Sequence, residues 1–364
     1  MNILLLNSIL YTAQNNIIPQ VESIKDCMIY NLGLGFCELG HEVTLVAASE
    51  YKPMKEEKYD INIVFLSSAM KKIFPPSILP FPPKLWNFLR KNKNKFDLII
   101  SSEVFAFPSL FAAILCPQKT IIWHELALHQ KKMKGIPSYF WYNVIAKLFF
   151  RKTLIVARSE NAKKFISKYL KNIANETVEH GINLKKFQFS KEKKKQFIVV
   201  SQLIPRKNIG SIIEKFTRFI TQKKYSDFQL IIVGKGELEN ELKKQVSELE
   251  IEKNVVFAGF KHHLELNGLI AESISLLIDT KQDNNMVSIP EAVVSGTPIL
   301  TNLVPTNSEF ISQHQLGIAK ADWNEEDLKQ IADNNAFYVE NCVAFREELS
   351  TKSIAEKLIK SKIQ

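Results

Sequence analysis

The residues best placed for chemistry lie in the second half of the chain. Arg206 and Lys207 are adjacent in Ser201-Gln202-Leu203-Ile204-Pro205-Arg206-Lys207-Asn208, a segment that leaves an apolar run and opens an amphipathic one. Two cations beside a helix N-terminus make an anion site, because unpaired N–H groups and the helix dipole add to the side-chain charge. A loop of surface charges accounts for the same pair. Further on, Asp283 and Glu291 bracket Asn284-Asn285-Met286-Val287-Ser288-Ile289-Pro290. Amides around Met286, Val287 and Ser288 can receive phosphate oxygens, and a carboxylate can accept two vicinal hydroxyls of a ribose or a sugar. Ser288 followed by Glu291 also matches a capping box, and Asp283 also suits a turn. Two more loops follow apolar runs: Gly234-Lys235-Gly236, and Gly259-Phe260, where backbone can approach a flat base. Tight turns explain both equally well. The chain has no Asp-x-Asp and no His/Cys cluster, so no metal is expected.

These loops need a scaffold, and the pattern supplies one. Short, nearly continuous apolar runs occur at 3–6, 43–47, 61–65, 98–101, 120–123 and 154–157. Such runs suit parallel strands covered on both faces. A helix is expected over Glu22–Leu39, ended by Gly40. After the polar break Lys191-Glu192-Lys193-Lys194-Lys195 the alternation restarts, with strands at 197–201, 229–233, 255–258, 276–278 and 299–301, and helices between them. Beyond Trp323 the pattern is helical through Ile363. Two such runs predict two doubly wound α/β domains, 1–185 and 186–345, with 346–364 a C-terminal helix returning to the first. Ligands in these folds bind beyond the carboxyl ends of the strands, so the cleft between the domains is the expected site.

Charge separates the halves. Of the net charge of +10, all falls in residues 1–185, with 24 Lys/Arg against 14 Asp/Glu; the remainder carries 24 of each. Seven basic residues and no acid lie between Asp60 and Asp97, among them Lys71 and Lys72, with Trp86 in the same window. Seven more lie between Glu125 and Glu160, including Lys131 and Lys132, with Trp141. Cations interleaved with aromatics suit an anionic lipid surface, with a solvated face over aromatic core as the alternative. A nucleic-acid groove would be basic too, but no binding module of that kind is present, so no nucleic-acid partner is expected.

Composition excludes several classes. At 46% apolar and 24% charged, with 12 Gly and 14 Pro in 364 residues, the chain suits a globular protein and not a disordered, collagenous or coiled-coil one. Apolar stretches such as Ser109–Cys116 fall short of the roughly 18–20 residues a spanning helix needs. The start, Met1-Asn2-Ile3-Leu4-Leu5-Leu6-Asn7, reads as a first strand rather than a signal peptide. Four scattered cysteines suggest reduced thiols, hence a cytoplasmic location.

In this order and spacing, the motifs resemble those of the retaining GT-B glycosyltransferases of family 4 (group 1), bacterial surface-polysaccharide type. Glu291-Ala292 followed by Gly296-Thr297-Pro298 is similar to that family's Glu-Ala…Gly-Thr-Pro segment, and Asp283 falls at the first acid of its Glu-x7-Glu pair. Ser201–Asn208 occupies its Gly-Arg-Leu…Lys loop. Val178-Glu179-His180-Gly181-Ile182-Asn183 stands at its interdomain turn, and Val156–Ala162 looks like its last N-domain strand and turn. The resemblance is strong over about 155–302 and weaker before it. It implies a GT-B fold, two Rossmann-like domains facing a central cleft, and transfer of a sugar from a UDP- or GDP-linked donor. Lys207 and Arg206 would then neutralise the diphosphate, Glu291 hold the ribose and Asp283 sit near the donor sugar. Met286, Val287, Ser288, Gly234, Gly236, Phe260 and Gln202 would line the donor. His124, after the fifth strand, matches the N-domain histidine of the sugar site.

The sequence departs from that pattern in three places. Gln202 replaces the diphosphate arginine, Asp283 is shorter than Glu, and the glycine-rich turn after the first strand is replaced by Asn7–Asn16, which has no glycine. A lipid-linked saccharide acceptor, with the enzyme peripheral on the inner face of the membrane, would explain the one-sided charge; Lys71, Lys72, Trp86, Lys131, Lys132 and Trp141 are its expected contacts. Two rival readings are a nucleotide-sugar epimerase of the same fold and a non-catalytic polyanion-binding protein.

Overall fold

The structure is a computed structural model describing residues 1–11, 17–130, 135–283 and 286–363. The chain forms two compact units, Met1–Asn183 with Ser350–Gln364, and Leu184–Leu349. The first holds a parallel sheet of β1 (Asn2–Leu6), β2 (Glu42–Ala48), β3 (Asn62–Leu66), β4 (Leu98–Ser102), β5 (Thr120–His124) and β6 (Leu154–Ala157), in the order β3-β2-β1-β4-β5-β6. Strand β1 shows why these runs are apolar throughout. Ile3 and Leu5 join a core containing Tyr30, Phe36, Ile354 and Leu358, while Leu4 and Leu6 join an opposite one with Leu85, Leu89 and Ala112. Both faces are covered by helices, so neither alternate position can be polar. The C-terminal helix Thr351–Ile363 packs on Met28–Glu38, where a Cβ at Gly35 would overlap the Thr351 carbonyl.

The second unit holds β7 (Gln196–Val200), β8 (Gln229–Val233), β9 (Val255–Gly259), β10 (Ser275–Ile278), β11 (Ile299–Thr301) and β12 (Gly317–Ala319), again all parallel, in the order β12-β11-β10-β7-β8-β9. Its core gathers Phe197, Val199, Leu230 and Ile232 against Ile212, Ile213, Phe216 and Phe219 of helix Ile209–Ile220. The chain reverses direction across the sheet between β7 and β10, and loops leaving those neighbours at a switch point lie side by side.

Two expectations about elements need correction. The first helix begins at Met28, not Glu22, because Glu57 accepts hydrogen bonds from Ser23 Oγ (2.7 Å) and the Ile24 N–H (3.0 Å), tying that stretch to a neighbouring loop. Strand β12 was not expected; it is three half-buried residues at the sheet edge. Among the described residues no helix is long and apolar enough to cross a membrane, and all four cysteines are free.

Candidate active site

At the switch point of the second unit, the turn Pro205–Lys207 leaves β7 and the segment Asp279–Asp283 leaves β10. Thr280 Oγ1 (3.0 Å) and the Lys281 N–H (2.7 Å) both donate to the Arg206 carbonyl, locking the two loops together. Asp283 accepts from Lys207 Nζ and, at 3.3 Å, from Arg206 Nη1 through the same oxygen. Lys207 is largely buried, with 11% of its side chain exposed against 42% for Arg206. Two cations and an acid from separate loops therefore meet at the carboxyl edge of the sheet. The turn of surface charges is excluded for Lys207.

Glu291 lies in the first turn of helix Ser288–Val294. The capping-box alternative does not hold: Val287 is the cap residue and no side chain caps this helix. Among the described residues nothing donates to the Glu291 carboxylate, and burial lifts its pKa from 4.5 to about 7. A buried carboxylate with acceptor capacity to spare suits a pair of hydroxyls. Nearby, the Met286 N–H is taken by Asn307 Oδ1 (3.1 Å), whose amide returns a bond to the Met286 carbonyl (2.9 Å), so Met286 does not supply a free amide for phosphate. Val287 is exposed and Ser288 half-buried in the same turn.

The two glycines of Gly234-Lys235-Gly236 serve loop packing. A Cβ at Gly234 would overlap the Ser201 carbonyl and one at Gly236 the Leu203 carbonyl. Leu203 N–H donates to the Lys235 carbonyl (3.0 Å), which ties the loop after β8 to the cation loop. Gln202 is exposed on that loop, and Phe260, 64% exposed beyond β9, stands edge-on to His262.

In the first unit, His124 ends β5 with none of its surface exposed, stacked on Phe165 and 2.9 Å through Nδ1 from Glu103. The ring is fully buried, held by an acid. Glu103 adopts a left-handed backbone (φ 68°) that turns its carboxylate toward His124 and the Glu125 N–H (2.9 Å). At the same sheet end Glu125 is exposed. Glu125 meets Arg158 (2.8 Å) and His180 (3.4 Å); burial would raise its pKa, but these partners outweigh it and hold it at about 2. Arg158 in turn lies 3.9 Å over the Trp123 ring. Glu103, Glu125, Arg158 and His180 were not singled out from the sequence, though Glu103, Glu125 and Arg158 immediately follow strands and so satisfy the rule applied to His124.

The expected surface residues divide. Trp141 is buried, donating to the Val104 carbonyl (2.9 Å) among Phe105 and Phe107, so it belongs to the core. Trp86 is half-buried, edge-on to Phe111. Lys71 pairs with Glu50 (2.9 Å), and Lys72 is exposed. Lys131 and Lys132 lie outside the described residues, as does part of the Asn7–Asn16 loop.

The fold and this loop pair define a doubly wound α/β protein in which two cations and an acid meet at the switch point of the second unit. Residues 28–186 match the family model of Glycosyltransferase Family 4, and residues 182–334 that of Glycosyl transferases group 1. The chain belongs to this family of glycosyltransferases and has the GT-B fold. It is 26% identical to the O-antigen chain mannosyltransferase RfbU of Salmonella typhimurium over 54% of this chain and 59% of that protein. It is 22% identical, over 73% and 77%, to the Escherichia coli UDP-Gal:alpha-D-GlcNAc-diphosphoundecaprenol alpha-1,3-galactosyltransferase. The chain spans just under three fifths of the length of the first curated relatives it matches. The crystal structure of HepE from Anabaena, in complex with UDP, superposes with a TM-score of 0.63 at 13% identity, covering 99% of each chain.

Proposed function

We propose that this protein is a retaining glycosyltransferase moving a hexosyl group from a nucleotide diphosphate sugar, UDP- or GDP-linked, to a lipid-linked saccharide in surface-polysaccharide synthesis, of capsule or O-antigen type. The observation that carries the reading is the meeting of Arg206, Lys207 and Asp283 at the switch point. In such a transfer, charge develops on the departing diphosphate, and preorganised cations stabilise that charge more than the ground state. Arg206 supplies the second positive charge that Gln202 cannot. With two side-chain cations available, the reading requires no metal. Glu291 takes the ribose hydroxyls, Asp283 faces the donor sugar, and Phe260 offers a ring to the base. The departing phosphate oxygen accepts the proton of the acceptor hydroxyl, so no separate base is needed.

The acceptor and the membrane belong to the first unit. Ile136, Tyr139, Phe140, Leu148 and Phe149 are all exposed, Ile136 at 77%. The π-helical turn Trp141–Ala146 buries Trp141, Tyr142 and Ala146 between them. Lys147, Arg151 and Lys152 are exposed on the same stretch, in a window without acids. Apolar side chains with cations on the same stretch fit an anionic lipid surface, at about 1 kcal/mol per cation, and support the reading of an enzyme on the inner face of the membrane, acting on a lipid-linked acceptor. The relatives named above act, by name, in O-antigen synthesis and on a diphosphoundecaprenol-linked sugar. Flotation with phosphatidylglycerol vesicles tests the surface: wild type is expected to float and Phe140→Glu/Leu148→Glu to stay behind, with nucleotide binding unchanged. Equal flotation of the two would refute it.

A further inference from the structure

Beneath the cation turn lies a charge that the helix around it does not explain. Helix Ile209–Ile220 buries Ile209, Ile212, Ile213, Phe216, Phe219 and Ile220, and with them Lys215, which is only 7% exposed. A buried ammonium is costly unless it is paired. Lys215 Nζ lies 3.0 Å from Asp279 Oδ2, 4.4 Å from the centre of the Trp323 ring, and 3.5 Å from the exposed Asp322. The same Asp279 oxygen accepts from Asn208 Nδ2 (3.2 Å), and its other oxygen from Asn302 Nδ2 (3.2 Å). Asn302 also donates to the Thr280 carbonyl (2.7 Å).

Two features connect this network to the site. Asn208 directly follows Lys207 and has a left-handed backbone (φ 51°, ψ 36°), the bend that ends the cation turn and starts the helix. Thr280 directly follows Asp279, and its hydroxyl holds the Arg206 carbonyl. Asp279 therefore governs the turn from both ends, through Asn208 behind Lys207 and through Thr280 beside Arg206. A merely stabilising core position would be filled as well by an apolar residue, since a buried ion pair rarely stabilises more than good packing does.

We propose that Lys215 and Asp279 are positioning residues for diphosphate recognition. Their ion pair aims Asp279 at Asn208 and Asn302, and the fixed turn presents Lys207 and Arg206 together to the two phosphates. The proposal rests on the nucleotide-sugar reading above. It predicts an effect confined to the phosphates, because the groups assigned to ribose and base, Glu291 and Phe260, lie on other loops.

The test uses the full chain and calorimetric binding of UDP and GDP, each beside its free nucleoside, to wild type, Lys215→Met, Asp279→Asn and the double variant. Lys215→Met keeps the stem on Trp323 and removes the charge. Each single variant is expected to bind the diphosphate about tenfold or more weakly, the effect of losing a charge-assisted hydrogen bond, with nucleoside affinity changed less than about twofold. The double variant carries a neutral pair of similar shape and folds even where an unpaired charge would prevent it. It is expected to melt near wild type and still bind the diphosphate weakly, because an Asn carboxamide offers one acceptor oxygen where Asp279 offers two. Recovery of diphosphate affinity along with melting temperature in the double variant would overturn the proposal, as would parallel loss of diphosphate and nucleoside. Failure of wild type to bind either diphosphate would instead overturn the nucleotide-sugar reading on which it stands.

Discussion

Glu291 ties donor affinity to pH with a sign that can be worked out. Folding raises its pKa from 4.5 to about 7 by burial. In the ligand-free protein the carboxyl is therefore mostly protonated below pH 7, while the role assigned to it, accepting two ribose hydroxyls, requires the ionised form. Donor binding should release up to about one proton near pH 6, and affinity should climb toward a plateau above pH 7. With a pKa of about 7, roughly one molecule in thirty is ionised at pH 5.5, so affinity for the donor should fall roughly thirtyfold between pH 8 and pH 5.5, or ~2 kcal/mol. The assay is calorimetry with an intact UDP- or GDP-sugar, whose diphosphate diester does not titrate in this range as a terminal phosphate does. Glu291→Gln should bind weakly at both values and lose the slope, which separates this group from others titrating in the same pH range, including Glu179, also raised to about 7 by burial. The native chain also holds the extra proton, so Glu291 favours folding most below pH 4.5. That contribution is lost as pH rises to about 7, by up to ~3 kcal/mol. A flat affinity in wild type, or an unchanged slope in Glu291→Gln, would refute the assignment.

Other outcomes follow from the same loops. Asp283 occupies both cations that the diphosphate needs, so Asp283→Asn should tighten UDP or GDP binding about tenfold in calorimetry, on the scale of one charged hydrogen bond, while turnover falls. Weaker nucleotide binding would contradict that arrangement. Gly234 has φ 139° and no room for a Cβ against the Ser201 carbonyl. Gly234→Ala should cost on the order of 2–4 kcal/mol, visible as a lower melting temperature, and should weaken diphosphate binding by displacing the cation loop; an unchanged melting curve would show that the two loops are not in register.

Much of this arrangement was legible in the sequence because it is local. Apolar runs without alternation announce strands covered on both sides, and all eleven expected strands appear within a residue or two of their places. Arg206 and Lys207 stand at a strand-to-helix junction, which is a statement about neighbours in the chain. What stayed hidden depends on the third dimension. Lys215 reads as the polar side of an amphipathic helix until Asp279, Asn302 and Trp323 arrive from distant segments. Glu103 reaches His124 only through a left-handed backbone that its residue type does not announce. In the basic aromatic window, composition could not tell core from surface: the π-helical turn puts Trp141 inside and leaves Phe140 and Leu148 outside. The capping box failed for a similar reason, since the helix began with Ser288 inside it instead of ahead of it.

The most direct test is calorimetric binding of UDP, GDP and ADP to wild type and to Lys207→Ala. The expected result is binding of one of the three by wild type, weakened about ten- to a hundredfold in Lys207→Ala, as for loss of a charge-assisted hydrogen bond. Binding of none of them by wild type, or equal binding by wild type and Lys207→Ala, would contradict a nucleotide diphosphate site at the switch point of the second unit.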